Sequence, residues 1–411
     1  MHIVWLNESA DFTGGCEQYI HQTVSLLNKT GIISTLLYKV GNSVNPSFTS
    51  IFDSCFPIVD ISLQLNELAP DVIYIHQIHD IALIKTLVQT PIPNIRFFHD
   101  HRLFCLREHK YTTISNTTCS KKLSVGCYAC LGFINRSDQW PGLTFSSLRE
   151  KKEAIHINQG LDSFVVGSQY MATHLEEHGF NHNKIQVIPL FTNQQSSNRS
   201  STSQSSTGQR DLNHQPRRNK VFFPPIDLMK KTQNLLFVGQ LIRGKGLDIL
   251  IKAMQSVNES CELTICGQGR MENIYKQQVK TLGLDARITF LGQQTQDQLS
   301  QHYKNTDIVI IPTRAPETFC LIGLEALSHG TPVVASDVGG IREWLKPNLN
   351  GLAVAPNSVV KLTEAINKLL SNPALRLKMR TFIHEDNLDR FSSTNHLNQL
   401  TLLFNHLTET A

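Results

Sequence analysis

The stretch Ile308–Gly330, IVIIPTRAPETFCLIGLEALSHG, constrains the fold more than any other part of this chain. Its first four residues are apolar and β-branched, the composition of a strand buried on both faces of a parallel sheet. Pro312 ends that strand, and Thr313, Arg314, Ala315 and Pro316 make a polar, proline-marked loop. From about Thr318 the pattern turns helical, with Leu321, Leu324, Glu325 and Leu327 at helical spacing, until His329-Gly330 closes it as a glycine cap. A helix that starts after a buried parallel strand offers free N–H groups and a positive dipole end, which suits a phosphate. Glu317 stands at the mouth of that helix and Glu325 eight positions later, roughly 12 Å along the axis. The separation excludes an acid/base pair acting on one bond. It allows one carboxylate to reach what the phosphate carries and the other what lies behind it. Two solvated helix acids would give the same letters, so the rest of the chain has to decide.

The same rhythm runs through both halves. His2–Leu6 is an apolar run, Thr13-Gly14-Gly15 a glycine turn, and Tyr19, Ile20, Val24, Leu26 and Leu27 fall on a helix. Gly14 and Gly15 let a backbone come close to a ligand, although turns use glycine pairs without one. Asp71–Ile75 and Ile95–Phe98 read as buried strands ending at His76 and His99, which places both imidazoles at the carboxyl ends where ligands of open α/β sheets gather. Strands Phe164–Val166 and Ile185–Ile188 follow, with helices over Leu148–His156 and Tyr170–His178. From about Gln194 the pattern becomes Ser/Gln-rich and nearly free of apolar residues, and reads as a linker. Order resumes with strands Asn234–Val238, Leu263–Cys266, Ile288–Leu291, Ile308–Ile311 and Pro332–Ser336, helices alternating between them. The expected fold class is α/β, with two doubly wound, Rossmann-like domains.

Length permits this: 411 residues with 40% hydrophobic and 18% charged composition fill two cores. The formal charge of +4 comes with no basic block or basic-aromatic stripe, so no nucleic acid partner is expected. No basic start leads into a long apolar run, and no stretch of about 18 apolar residues occurs, so a cytoplasmic protein is expected. Four of the nine cysteines, Cys105, Cys119, Cys127 and Cys130, crowd one segment with the spacing C-x13-C-x7-C-x2-C. They are either the ligands of a structural metal, zinc ahead of an iron–sulfur cluster, or reduced thiols packed without one.

Taken in order, the pieces resemble the retaining glycosyltransferases of family four, with their two-domain GT-B fold. They are Gly14-Gly15-x-Glu17, His99-Asp100, Val187-Ile188-Pro189, Val238-Gly239-x-Leu241 with Lys245-Gly246, Cys266-Gly267-x-Gly269, the Glu317 and Glu325 pair with Gly330-Thr331-Pro332-Val333-Val334, and Gly339-Gly340. The resemblance implies an acceptor-binding domain over 1–192 carrying the Cys-rich insertion 100–135, a linker over 193–231, a nucleotide-sugar domain over 232–390, and a helix over 391–411 that packs back on the first domain, with a cleft between the two. It implies a nucleoside diphosphate sugar, UDP or GDP, as donor, with Glu325 on the ribose, Lys245 and Arg243 on the phosphates and Glu317 on the sugar hydroxyls. Gly14, Gly15, Gly267, Thr318, Phe319, Cys320 and Leu321 would line the same donor site, and His99 would contact the transferred sugar.

Same-face transfer without a catalytic metal is the mechanism expected of such a site, with His99 and Glu317 as the residues closest to the chemistry. The expected acceptor is a glycan or a lipid-linked glycan of a bacterial cell-surface polysaccharide, met at the inner face of the membrane through peripheral contact. Two departures stand out: Gln240 replaces the arginine usual in the family, and Thr318-Phe319-Cys320 replaces Pro-Phe-Gly. A non-hydrolysing sugar-nucleotide epimerase and an inactive sugar-nucleotide-binding protein are the rival readings.

Overall fold

The computed structural model describes residues 1–41, 43–112, 115, 117–136, 143–192, 232–258, 260–386 and 388–410. The proposed linker over 193–231 lies outside the described residues. The strands in chain order are β1 His2–Asn7, β2 Ile33–Lys39, β3 Ser54–Ile58, β4 Val72–Ile75, β5 Asn94–Phe97, β6 Ile134–Arg136, β7 Leu143–Phe145, β8 Ser163–Val166, β9 Ile185–Val187, β10 Gln233–Val238, β11 Cys261–Cys266, β12 Ile288–Gly292, β13 Ile308–Ile311, β14 Val333–Ser336 and β15 Gly351–Val354.

Two sheets result, each built from parallel pairs. The first runs β3-β2-β1-β4-β5-β8-β9 and the second β12-β11-β10-β13-β14-β15, while β6 and β7 form a separate antiparallel pair. Strand order reverses between β1 and β4 in one sheet and between β10 and β13 in the other. Such reversals open a crevice at the strand carboxyl ends, and the expected α/β architecture with two doubly wound units is present. β4, β5, β8, β13 and β14 are buried at every position; most of their residues are apolar, and in β5 the buried Arg96 is satisfied by the Ile78 carbonyl and the Asn158 side chain.

The halves are not independent bodies. One apolar cluster includes Trp5, Tyr19 and Leu36 of the first sheet region together with Leu236, Val309, Leu324 and Trp344 of the second. It also takes in Phe391, Leu400 and Phe404 from the end of the chain. The helix Pro373–Glu385 belongs with the second half, whereas the helix Ser393–Thr410 returns to the first. Its entry is pinned by a bridge between Thr192 and Ser392, and Phe404 meets the Tyr74 ring edge-on at 5.5 Å.

Candidate active site

Loops after β10 and β13, and the turn after β14, meet at the mouth of the helix Leu321–Ser328, and backbone crowding fixes their path. Gly246 has φ of +72°, and a methyl there would lie 2.0 Å from the Pro312 carbonyl oxygen. Gly339 has φ of +58°, and a methyl would lie 2.2 Å from the Glu317 carbonyl oxygen. Neither position admits another residue without moving the loop. Gly267 is held the same way against Gly239, with 1.9 Å between its would-be Cβ and that carbonyl oxygen.

This crowding corrects one sequence expectation. The helix starts at Leu321, not near Thr318. Gly340 N–H donates to the Glu317 carbonyl at 2.7 Å, and the Trp344 indole N–H donates to the Phe319 carbonyl at 2.8 Å. Those carbonyls are therefore used by the neighbouring turn and not by a helical ladder. Cys320 caps the helix with φ of +69°, in the left-handed region that glycine occupies at least cost, which accounts for the glycine usual there in the resembling family. Burial pushes the Cys320 thiol well above its ordinary pKa.

Lys245 and Glu317, assigned from sequence to phosphate and sugar respectively, are joined to each other. Lys245 Nζ donates to both Glu317 oxygens, at 2.9 and 3.1 Å. Burial opposes the charge on Lys245, but the Glu317 carboxylate and the Cys320 sulfur outweigh it and hold its pKa above the ordinary lysine value. Arg243 is exposed on the same loop. Glu325 accepts the Tyr303 hydroxyl at 2.8 Å, and burial raises its pKa while hydrogen bonds from Tyr303 and Gln296 hold the rise in check.

Two parts of this half were missed from sequence. Tyr303 gave no signal beyond its place on a helix. Arg314, read as one polar loop residue, is buried, with its guanidinium on both Asp248 oxygens at 3.0 and 2.8 Å and on the Arg243 carbonyl at 2.5 Å. It braces the 243–245 turn instead of facing a ligand.

Across the cleft the first domain contributes side chains. His76 Nδ1 and His99 Nε2 share a hydrogen bond of 2.9 Å, and His99 stacks on Phe97 with centroids 4.0 Å apart. Burial, helped by the Arg96 charge, brings the His99 pKa down to about 3, so its imidazole is neutral at physiological pH. Cys16, His76 and His99 form the one group among the described residues whose three ligating atoms all lie within 4.8 Å of one another. Gly14 caps the helix Gly15–Leu27, and a side chain at Gly15 would meet nothing within 4 Å. Glu17 is 1% exposed and accepts Asn7 Nδ2 at 3.2 Å, so it supports the turn from below.

The two faces touch through the residues that carry the sequence signal. The Thr318 hydroxyl donates to the His99 carbonyl at 2.9 Å, and the Ser168 hydroxyl donates to the Thr318 carbonyl at 2.5 Å. Phe319 is buried beside Gly167, and Leu321 opens the helix. Cys105, Cys119, Cys127 and Cys130 line one small cavity of about 30 Å³, in the segment that follows His99 and Asp100. No three of their sulfurs lie mutually within 4.8 Å.

Residues 220–385 match the family described as Glycosyl transferases group 1. An uncharacterized glycosyltransferase of Methanocaldococcus jannaschii is 33% identical over 172 residues, 41% of this chain and 44% of that protein. D-inositol 3-phosphate glycosyltransferase of Corynebacterium glutamicum is 32% identical over 157 residues, 36% of this chain and 37% of that protein. The matches thus span less than half the length of these curated relatives. Among solved structures, Anabaena HepE in complex with UDP and glucose is similar with a TM-score of 0.70 at 16% identity, covering 99% of this chain and 100% of the other. Sucrose-phosphate synthase of Thermosynechococcus elongatus gives 0.71 at 18% identity over 100% of both chains.

Proposed function

We propose that this chain, whose residues 220–385 match the group 1 glycosyl transferases, is a retaining glycosyltransferase moving a sugar from a nucleoside diphosphate sugar to a glycan or lipid-linked acceptor. The observation that carries the reading is the hydrogen bond from Thr318 to the His99 carbonyl, which sets the first domain's histidine beside the loop that holds Glu317, itself paired with Lys245. Donor and acceptor halves meet at one point.

The chemistry follows from these groups. Glu325, positioned by Tyr303, accepts the ribose hydroxyls. Lys245, Arg243 and the first N–H groups of the helix at Leu321 stabilise the diphosphate as it leaves. Glu317, tied to Lys245, stands at the sugar's hydroxyl edge and not as a nucleophile beneath the ring. One ring nitrogen of His99 is taken by His76, which leaves the other to orient the sugar as a neutral hydrogen-bonding group. The acceptor hydroxyl then attacks on the face the diphosphate leaves, and its proton passes to the departing phosphate oxygen. No catalytic metal takes part in this scheme. The Anabaena structure holds UDP and glucose, which favours a uridine donor over a guanosine one.

Among the described residues no helix is long and apolar enough to cross a membrane. For a lipid-linked acceptor at the inner membrane face, contact falls to the outer edge of the first sheet. There Lys39 pairs with Ile58, and Val40 and Val59 beyond them are 60% and 82% exposed.

A thermal-shift screen of UDP-, GDP- and ADP-sugars, followed by proton NMR of the sugar product, tests the proposal. Stabilisation by a UDP-sugar and a product with the donor's anomeric configuration is the expected result. An isomerised free nucleotide sugar would establish the epimerase instead, and binding without any product would establish an inactive binding protein. Activity should survive EDTA when zinc is restored without magnesium; a requirement for magnesium would contradict the mechanism.

A further inference from the structure

We propose that Cys105, Cys119, Cys127 and Cys130 bind one zinc ion, and that this ion ties the insertion onto the donor-side loop of the second domain. The thiols line a single cavity with no carboxylate or imidazole among its walls, which gives a soft, all-sulfur donor set. Cys127 Sγ already accepts the Ser124 N–H at 3.4 Å, the kind of contact that supports a ligating thiolate.

Charge gives a second, independent argument. Zinc on four thiolates carries two net negative charges, and the same cavity is walled by three cationic residues, Arg107, Lys110 and Lys121. Lys110 is 2% exposed, with its ammonium on the Lys121 carbonyl at 2.5 Å, and Arg107 leaves Nη1 buried without a partner. A buried Lys110 ammonium and an unpartnered Arg107 Nη1 facing four neutral thiols would be costly, whereas facing a thiolate-bound metal they are compensated.

The insertion reaches the donor loop from this cluster. Tyr111 and Thr118, flanked in sequence by Cys105 and Cys119, pair in an antiparallel bridge. The Thr118 hydroxyl donates to the Arg314 carbonyl at 2.8 Å. The Tyr111 ring lies against Gly244, where a methyl would come within 3.3 Å of it. Gly244 and Arg314 are themselves joined, Arg314 N–H to Gly244 carbonyl at 2.9 Å, and they flank Lys245 and Glu317 in sequence. Because the sulfurs are not yet mutually within 4.8 Å, binding draws them together and tightens the segment that presses on this loop.

The coupling to catalysis rests on the function proposed above, so the test reads the metal and the loop separately from nucleotide. Full-length protein purified without chelator is analysed for metals, then compared with and without zinc by hydrogen exchange over 243–246 and 312–317. We expect about one zinc per chain, retained in Cys55→Ser and lost in Cys127→Ser, and faster exchange in both loop segments once zinc is removed. Thr118→Val should keep the zinc and still loosen the Arg314 segment, which separates the tie from misfolding of a cysteine variant. UDP affinity should fall roughly fivefold on zinc removal, as expected when a contact of about one hydrogen bond is lost. Absence of zinc, iron with sulfide in its place, or unchanged loop exchange after zinc loss would overturn the proposal. If zinc and exchange behave as stated but no nucleoside diphosphate binds, the site stands and the functional reading falls.

Discussion

The second domain builds its half of the cleft from backbone, and the first domain builds its half from side chains. Around Gly246, Gly267 and Gly339, main-chain oxygens of neighbouring loops come so close that no Cβ fits. On the opposite side a side chain at Gly15 would meet nothing within 4 Å, and the lining is a side chain, His99, which stacks on buried Phe97 and packs against buried His76 and Tyr19. A backbone-built site is fixed by a short string of glycines at set spacing, and the family match over 220–385 includes Gly246, Gly267 and Gly339. A side-chain-built site can change one residue at a time without disturbing the fold.

The comparison is broken most severely at the glycines. Gly246→Ala should cost about 3 kcal/mol in stability because a left-handed position and a clash with Pro312 combine, and thermal unfolding would show it. Gly15→Ala, facing open space, should change stability by less than about 0.5 kcal/mol and lower only the transfer rate. Equal losses of stability at the two positions would erase the distinction. His99→Ala should next reduce turnover about 10²–10³-fold, roughly 2.7–4 kcal/mol, with little change in melting temperature.

Acid should separate the halves as well. Burial depresses His99 to about 3 and His396 to about 4, so both are neutral in the fold at pH values where an unfolded chain, with histidine near 6.5, binds protons. Their contribution to stability is complete above about pH 6.5 and is lost as pH falls toward 4. His76, also buried and depressed, adds in the same direction. Among the described residues the second domain has one buried histidine, His329. Hydrogen exchange at pH 7 and pH 5, corrected for intrinsic rates, should show protection falling first in β4 and β5 and persisting in β13 and β14. The reverse order would contradict this assignment of buried charge.

Much of the second sheet was legible because Ile308–Ile311 and residues 333–335 are apolar runs next to prolines, Pro312 and Pro332. β2 and β3 were not. β3 lies at the sheet edge, contains Pro57 and leaves Phe56 43% exposed, so its apolar signal is weak. β15 escaped for another reason: four residues starting with glycine look like part of a loop. In the site, the strand-end histidines and the two glutamates could be placed from their neighbours in sequence. Their partners could not. The Lys245–Glu317 pair is separated by 72 residues, Tyr303–Glu325 by 22 and His76–His99 by 23, and such pairings depend on how strands register. The late start of the helix was hidden likewise, because it follows from hydrogen bonds donated by Gly340 and Trp344.

The central claim is that a nucleoside diphosphate binds the second domain's backbone-built half while His99 acts on what that diphosphate carries. Calorimetric titration of UDP into wild type, Glu325→Ala and His99→Ala tests it most directly. Wild type should bind, Glu325→Ala should lose about 1.5–3 kcal/mol as a charge-assisted hydrogen bond disappears, and His99→Ala should bind UDP as wild type does. Equal weakening in both variants, or UDP binding untouched by Glu325→Ala, would contradict the account.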